Sequence, residues 1–195
     1  VDDCAQGKIS FADVTTFNLD EYRGLSHDDP QSYHYFMHHH LFDHIDIDPK
    51  NIHIPDGTLE GDEIDKFCRD YEKAIKAAGG IDLQILGIGR TGHIGFNEPG
   101  SFITSQTRKV FLNDLTIKDA IKDFGSRNLV PTKAITMGVG TIMQARRVIL
   151  MAWGEKKAPI IKATVEGRVS DSVPATFLQM HSNVQFIIDE SAASE

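Results

Sequence analysis

Cysteine is scarce in this chain. Of 195 residues only Cys4 and Cys68 are cysteines. Two separated cysteines give no disulfide framework, and they fit reduced thiols in a cytoplasmic setting. Positive charge is also in deficit: 20 lysines and arginines against 28 aspartates and glutamates leave a net charge of −8. An acidic chain without a basic run is poorly suited to nucleic acid or to an anionic membrane. If the ligand is an anion, a few placed cations must hold it against the overall field. No apolar run approaches the ~20 residues that span a bilayer as a helix, and there is no repeat or low-complexity tract. What is present is ordinary globular composition, 41% hydrophobic and 25% charged, at a length that suits a single domain with a sizeable core. The chain opens VDDCAQGKIS without a methionine and closes DESAASE, each close to a strand-like run, so it reads as a piece of a longer protein.

The apolar patterning alternates between strand and helix. DVTTFNL (13–19) is β-branched and aromatic and predicts a strand that runs into DEY at 20–22. Pro30 opens a helical stretch through His44. DEIDKFCRDYEKAIKAAGG predicts an amphipathic helix with Ile64, Phe67, Cys68, Tyr71 and Ile75 on one face, ended by Gly79 and Gly80. IDLQILGIG predicts a buried strand. AITMGVGTIMQA reads as a short strand turning into a helix, RRVILMAWG as a strand, EKKAPIIKATVEG as a helix and NVQFIIDE as a last strand. Several of these strands are near-continuous apolar runs, which fits an α/β fold with a parallel sheet flanked by helices on both faces. Ligands in such folds bind at strand carboxyl ends, and the two most polar ends are DEY and GIGRTGH.

Gly87, Gly89 and Gly92 spell G-x-G-x-x-G. A dinucleotide site needs a helix directly after these glycines, because its N-terminus holds the pyrophosphate. Here HIGFNEPG follows, and Gly95, Pro99 and Gly100 break any helix, so the nicotinamide reading fails on context. His93, Asn97 and Glu98 within six residues instead give the loop the density of functional groups expected of a site.

FNLDEYRGL, SYHYFMHHHLFDH, GIGRTGHIGFNEPGS, TMGVGTIM and LQMHSNVQFIIDE together resemble the isomerising glucosamine-6-phosphate deaminases over about residues 8–190. The resemblance implies a Rossmann-like α/β domain that uses no cofactor and no metal. It implies conversion of glucosamine 6-phosphate and water to fructose 6-phosphate and ammonia, and a homo-oligomer. By the same resemblance Asp20 shuttles the proton between C2 and C1, and His93, oriented by Glu98, opens the sugar ring; Glu21 beside Asp20 reads as a supporting or a structural neighbour. Many family members carry aspartate directly before the G-H pair; Thr91 stands there in this chain and cannot carry negative charge near neutral pH.

For the phosphate, Lys157 matches a phosphate-contacting lysine of the family, with Lys156 a competitor. Lys122 falls where some relatives have a second cation, and Gly89 and Arg90 lie in the loop itself. The family's Gly/Thr-rich phosphate cradle, on an N-terminal strand-to-helix turn, has no counterpart here, so a sheet element is expected to be missing. Arg108 falls near the effector site of regulated members. His34, His38, His39, His40 and His44 offer i, i+4 pairs that could suggest zinc, but the matching family segment binds no metal. Two other readings stay open at this stage: a sugar-phosphate sensor without turnover, and a 6-phosphogluconolactonase-like hydrolase sharing the fold.

Overall fold

The computed structural model describes residues 1–195. In chain order the elements are α1 (Asp2–Ala5), β1 (Thr16–Phe17), β2 (Asp20–Tyr22), α2 (Tyr33–His40), β3 (Ile52–His53), α3 (Glu63–Ala77), β4 (Leu83–Leu86), β5 (Arg108–Phe111), α4 (Asp114–Phe124), β6 (Lys133–Thr136), α5 (Val139–Ile142), β7 (Arg147–Ala152), α6 (Ala158–Glu166) and β8 (Val184–Ile188). No helix is long and apolar enough to cross a membrane.

The fold is α/β, with two parallel sheets, β1–β3 and β4–β7–β8. This agrees with the expected parallel α/β class, and beside it β2, β6 and β5 form a separate antiparallel sheet in that order. DEY is therefore a strand in its own right and not a strand end. The chain turns after Leu19, whose carbonyl accepts the Met137 N–H at 2.6 Å, and Asp20 then pairs with Thr136.

α3 forms where the periodicity places it, and Ile64, Cys68, Tyr71 and Ile75 are buried along one face. Each such side chain contributes about 1.5–3 kcal/mol relative to exposure. Tyr71 and Ile75 join Leu86, Val148, Leu150, Ile161 and Leu178 in the main core, which covers one face of β4–β7–β8. The other face is bare. Leu83 and Ile85 are 46% and 51% exposed, and Met151 and Ile187 are 38% and 47% exposed. The reading of IDLQILGIG as a buried strand holds for Gln84, Leu86 and Ile88 but not for Leu83 and Ile85, because α3, α5 and α6 all pack on one side.

Three elements escaped the sequence reading: the short helix α1, β5 and the helix α4 that follows it. α4 carries ordinary end signals. The Asn113 side chain accepts the Leu115 N–H at 2.9 Å, and Gly125 ends the helix at φ 80°. Its N-terminal turn lies against the functional loop, as described next.

Candidate active site

The segment between β4 and β5 contains no helix. Its glycines therefore lack the helix N-terminus a dinucleotide would need, and Gly89, Gly92 and Gly95 serve close packing instead. A Cβ on Gly89 would lie 2.0 Å from His93 Cε1, so the imidazole lies directly over that backbone. Gly95 adopts φ +54°, and a Cβ there would come within 3.3 Å of Asp20 Oδ2 and 3.0 Å of Thr136 Oγ1. Gly95 thus brings the loop against the Asp20 carboxylate, and an L side chain would be both strained and obstructed.

The loop is fastened to the end of β6. Phe96 N–H donates to Thr136 Oγ1 at 3.0 Å, and the Asn97 amide donates to the carbonyls of Met137 (2.8 Å) and Ile94 (2.9 Å). Thr136 pairs with Asp20 on one side and Arg108 on the other, so β6 is the common support for both halves of the site. Arg108, placed by sequence near an effector site, points inward: its guanidinium donates to Asn97 Oδ1 at 2.8 Å and Ser101 Oγ at 3.0 Å.

His93, Thr91 and Glu98 form one cluster, with the His93 and Glu98 side chains only 16% and 11% exposed. His93 Nδ1 lies 2.8 Å from Thr91 Oγ1 and 3.2 Å from Glu98 Oε2, and the Thr91 hydroxyl donates to Glu98 Oε2 at 3.0 Å. The other Glu98 oxygen accepts the Thr116 hydroxyl in a short hydrogen bond and the Asn113 N–H at 3.3 Å. Burial pushes Glu98 up, but hydrogen bonds from His93 and Thr116 outweigh it and hold the carboxyl below its ordinary range. With Glu98 ionised and the Thr91 proton spent on it, the network assigns the remaining imidazole proton to Nδ1 and leaves Nε2 as the free base. Asp20 differs: burial, and then the neighbouring Glu21 carboxylate, push it up to about 7.

The candidate anion-binding residues lie beside the glycine turn. Lys157, at the start of α6, donates to the Ile88 carbonyl at 2.6 Å, and burial lowers its pKa. Lys122 is exposed on α4 and close enough to Lys157 to repel it, as is Arg90. Arg90 is engaged in a two-point ion pair with Asp119, at 2.8 and 2.7 Å. Lys156 is exposed and has no hydrogen-bond partner to compete with that of Lys157.

The histidines do not converge on a point. His27, His34 and His38 stack at centroid spacings of 4.3 and 4.6 Å, His38 pairs with Asp43, and His44 meets the His39 carbonyl. No group of three or more His, Cys, Asp or Glu side chains is arranged to hold a metal ion. Sequence reasoning missed Thr116, Thr136 and the inward role of Arg108. Asn97 stood within the quoted FNEP block and could have flagged a structural anchor; Thr116 carried no local signal.

Comparison with known proteins places this geometry. The family model for glucosamine-6-phosphate isomerases/6-phosphogluconolactonases matches residues 2–187. A glucosamine-6-phosphate deaminase of Thermoanaerobacter sp. (strain X514) is 53% identical over 97% of this chain and 74% of its own length. That of Shewanella woodyi is 54% identical over 97% of this chain and 71% of its own. The solved structure of a monomeric glucosamine-6-phosphate deaminase superposes with a TM-score of 0.95 at 44% identity, covering 99% of this chain and 79% of that one. A 6-phosphogluconolactonase from Trypanosoma brucei shares the fold at 21% identity, with a TM-score of 0.71. On these matches the chain belongs to the glucosamine-6-phosphate isomerase/6-phosphogluconolactonase family.

Proposed function

We propose that the protein catalyses isomerising deamination of glucosamine 6-phosphate, giving fructose 6-phosphate and ammonia with uptake of one water. The observation that carries this reading is the seating of Asp20, a carboxylate pushed up to about 7, against Gly95 of the same loop that carries the His93–Glu98 pair. The relatives at 53% and 54% identity are deaminases, which supports the same reaction.

The chemistry follows in order. His93 Nε2 takes the proton of the anomeric hydroxyl and returns one to the ring oxygen, opening the pyranose; Glu98 and Thr91 fix the tautomer and stabilise the transient imidazolium. Asp20 then removes the C2 proton of the open-chain aldehyde and delivers it to C1, while a second proton passes from the amino group to O1 to make the C1 hydroxyl. A group titrating near neutrality suits both halves of that transfer, since it must accept and release the proton with similar ease. The resulting imine at C2 adds water and expels ammonia. Lys157, with Lys122 and Arg90, is assigned to the phosphate, and Gly89 lets the loop backbone and the His93 ring approach the sugar. Arg90 must leave or share Asp119 to take part, at small cost because an exposed ion pair contributes only about 0–1 kcal/mol. No cofactor or metal enters this scheme. A homo-oligomer, implied by resemblance, meets a counterexample in the monomeric structural neighbour, and light scattering decides between the two.

The test is ammonia release from glucosamine 6-phosphate by the purified protein and by Asp20→Asn. Loss of an acid/base group costs on the order of a hundredfold or more. Turnover unaffected by Asp20→Asn would remove Asp20 from the mechanism. Binding without turnover would replace the enzyme by a sensor, and cleavage of 6-phosphogluconolactone in place of ammonia release would make it a lactonase.

A further inference from the structure

Glu21 follows Asp20 in β2, is 1% exposed, and has no role in the scheme above. Successive residues of a strand point to opposite faces, so Asp20 meets Gly95 while Glu21 turns toward α2. There Oε1 accepts the N–H groups of Tyr22 (2.8 Å) and Tyr33 (3.0 Å), and Oε2 accepts that of His34 (2.8 Å). Tyr33 and His34 open α2, whose N-cap Ser32 holds the Tyr35 N–H. Each of these partners is a donor and none is an acceptor. A carboxylic proton would find nothing to bind and would displace an N–H bond, so the pocket is built for the ionised form. The positive end of α2 favours the same state.

Three phenols also lie near enough to Asp20 to interact with it. Tyr33 from α2 and Tyr71 from α3 are both held well above their ordinary range by burial, and Tyr22 in β2 is raised as well. All three are neutral wherever Asp20 titrates. Burial pushes Glu21 up on balance; the three main-chain N–H bonds, and after them His27 in the loop after β2, pull it the other way and favour the ionised form. Glu21 is therefore the charge next to Asp20, and its place is fixed by three main-chain bonds.

We propose that Glu21 is a positioning residue for the proton shuttle: anchored on the first turn of α2, it holds a permanent negative charge behind β2 and so sets how readily Asp20 takes up a proton. This rests on the assignment of Asp20 as the shuttle, and the test separates the two. In the unmodified protein, carbon-13 NMR of the two carboxyls should find Glu21 ionised throughout the pH range in which Asp20 titrates. Glu21→Gln keeps the size and an acceptor but removes the charge, so the Asp20 midpoint should move to lower pH by on the order of one unit. The acid limb of the ammonia-release profile should move with it. Glu21→Asp keeps the charge and should leave the midpoint near its original value. The proposal is overturned if Glu21 carries a proton while Asp20 titrates, if the Asp20 midpoint ignores Glu21→Gln, or if both variants move it equally. The NMR titration of the unmodified protein needs neither a stable variant nor deaminase activity. A midpoint that moves in a protein without turnover would retain the coupling and reject the deaminase reading.

Discussion

Thr91 is a single uncharged side chain joined to both His93 and Glu98. Its hydroxyl donates to Glu98 and lies against His93 Nδ1, so it orders the pair without adding charge. A carboxylate in its place would stabilise the imidazolium, since an opposite charge nearby favours the charged form. Thr91→Asp should therefore speed reaction on the closed-ring sugar while isotope exchange at C2 of an open-chain analogue stays nearly constant. Equal responses of the two rates would mean that Thr91 does not act on ring opening. Arg90, adjacent in sequence, could neutralise the new charge, so a null result calls for repetition in an Arg90→Asn background. Asp20 gives a stability prediction of definite sign. Burial pushes it up to about 7 in the folded protein, above its ordinary value of 3.8. The stability it contributes is full below pH 3.8 and is lost as pH rises through about 7. Asp20→Asn should thus raise Tm at pH 8 relative to the unmodified protein and give no such gain at pH 4. A few degrees are expected, since ~1 kcal/mol moves a domain of this size by about 2–4 °C. A variant that melts lower at both pH values would mean that the buried carboxylate is not a cost to folding.

At the scale of elements, the loop from β4 to β5 is held by its neighbours more than by itself. Arg108 in β5 satisfies the Oδ1 of Asn97, a residue with no exposure, and α4 offers Asn113 N–H and Thr116 to Glu98. Arg108→Met would leave a buried amide oxygen without a donor at about 1–3 kcal/mol. We expect a lower Tm by thermal denaturation and a loss of turnover larger than any change in KM, because the loop carries His93 and Glu98. An unchanged Tm would show that another donor reaches Asn97. The loop was legible in RTGHIGFNEPG, where functional groups crowd a segment too broken for a helix. β5 and α4 were not read, although Asn113 and Gly125 are serviceable end signals, because RKVF offers only a short and half-exposed run.

The whole molecule is asymmetric about β4–β7–β8. One face is closed by α3, α5 and α6, while Leu83, Ile85, Met151 and Ile187 leave the other apolar and open. Parallel sheets ordinarily have both faces covered, and the matched residues amount to 74% of the Thermoanaerobacter relative. We expect this 195-residue chain to bind a hydrophobic dye such as ANS strongly, and Leu83→Lys with Ile187→Lys to reduce that binding with little change in far-UV circular dichroism. Dye binding unaffected by the two lysines would place the sticky surface elsewhere, for example at the exposed Phe102 and Phe111.

The sequence by itself determined whatever depends on near neighbours: the apolar periodicity of α3, the runs of β7 and β8, the crowding of His93 and Glu98 in one loop, and the failure of the glycine turn as a dinucleotide site. Spacing alone does that, because helices, strands and broken loops are set by residues within a few positions of each other. The tertiary structure decided what depends on distant segments. It made DEY an antiparallel strand on β6, set Gly95 against Asp20, closed Glu98 with Thr116, and turned Glu21 onto the N-terminus of α2. The physical reason is that a carboxylate's proton affinity and a histidine's tautomer follow from burial and from donors contributed across the fold, which no local pattern of residues encodes.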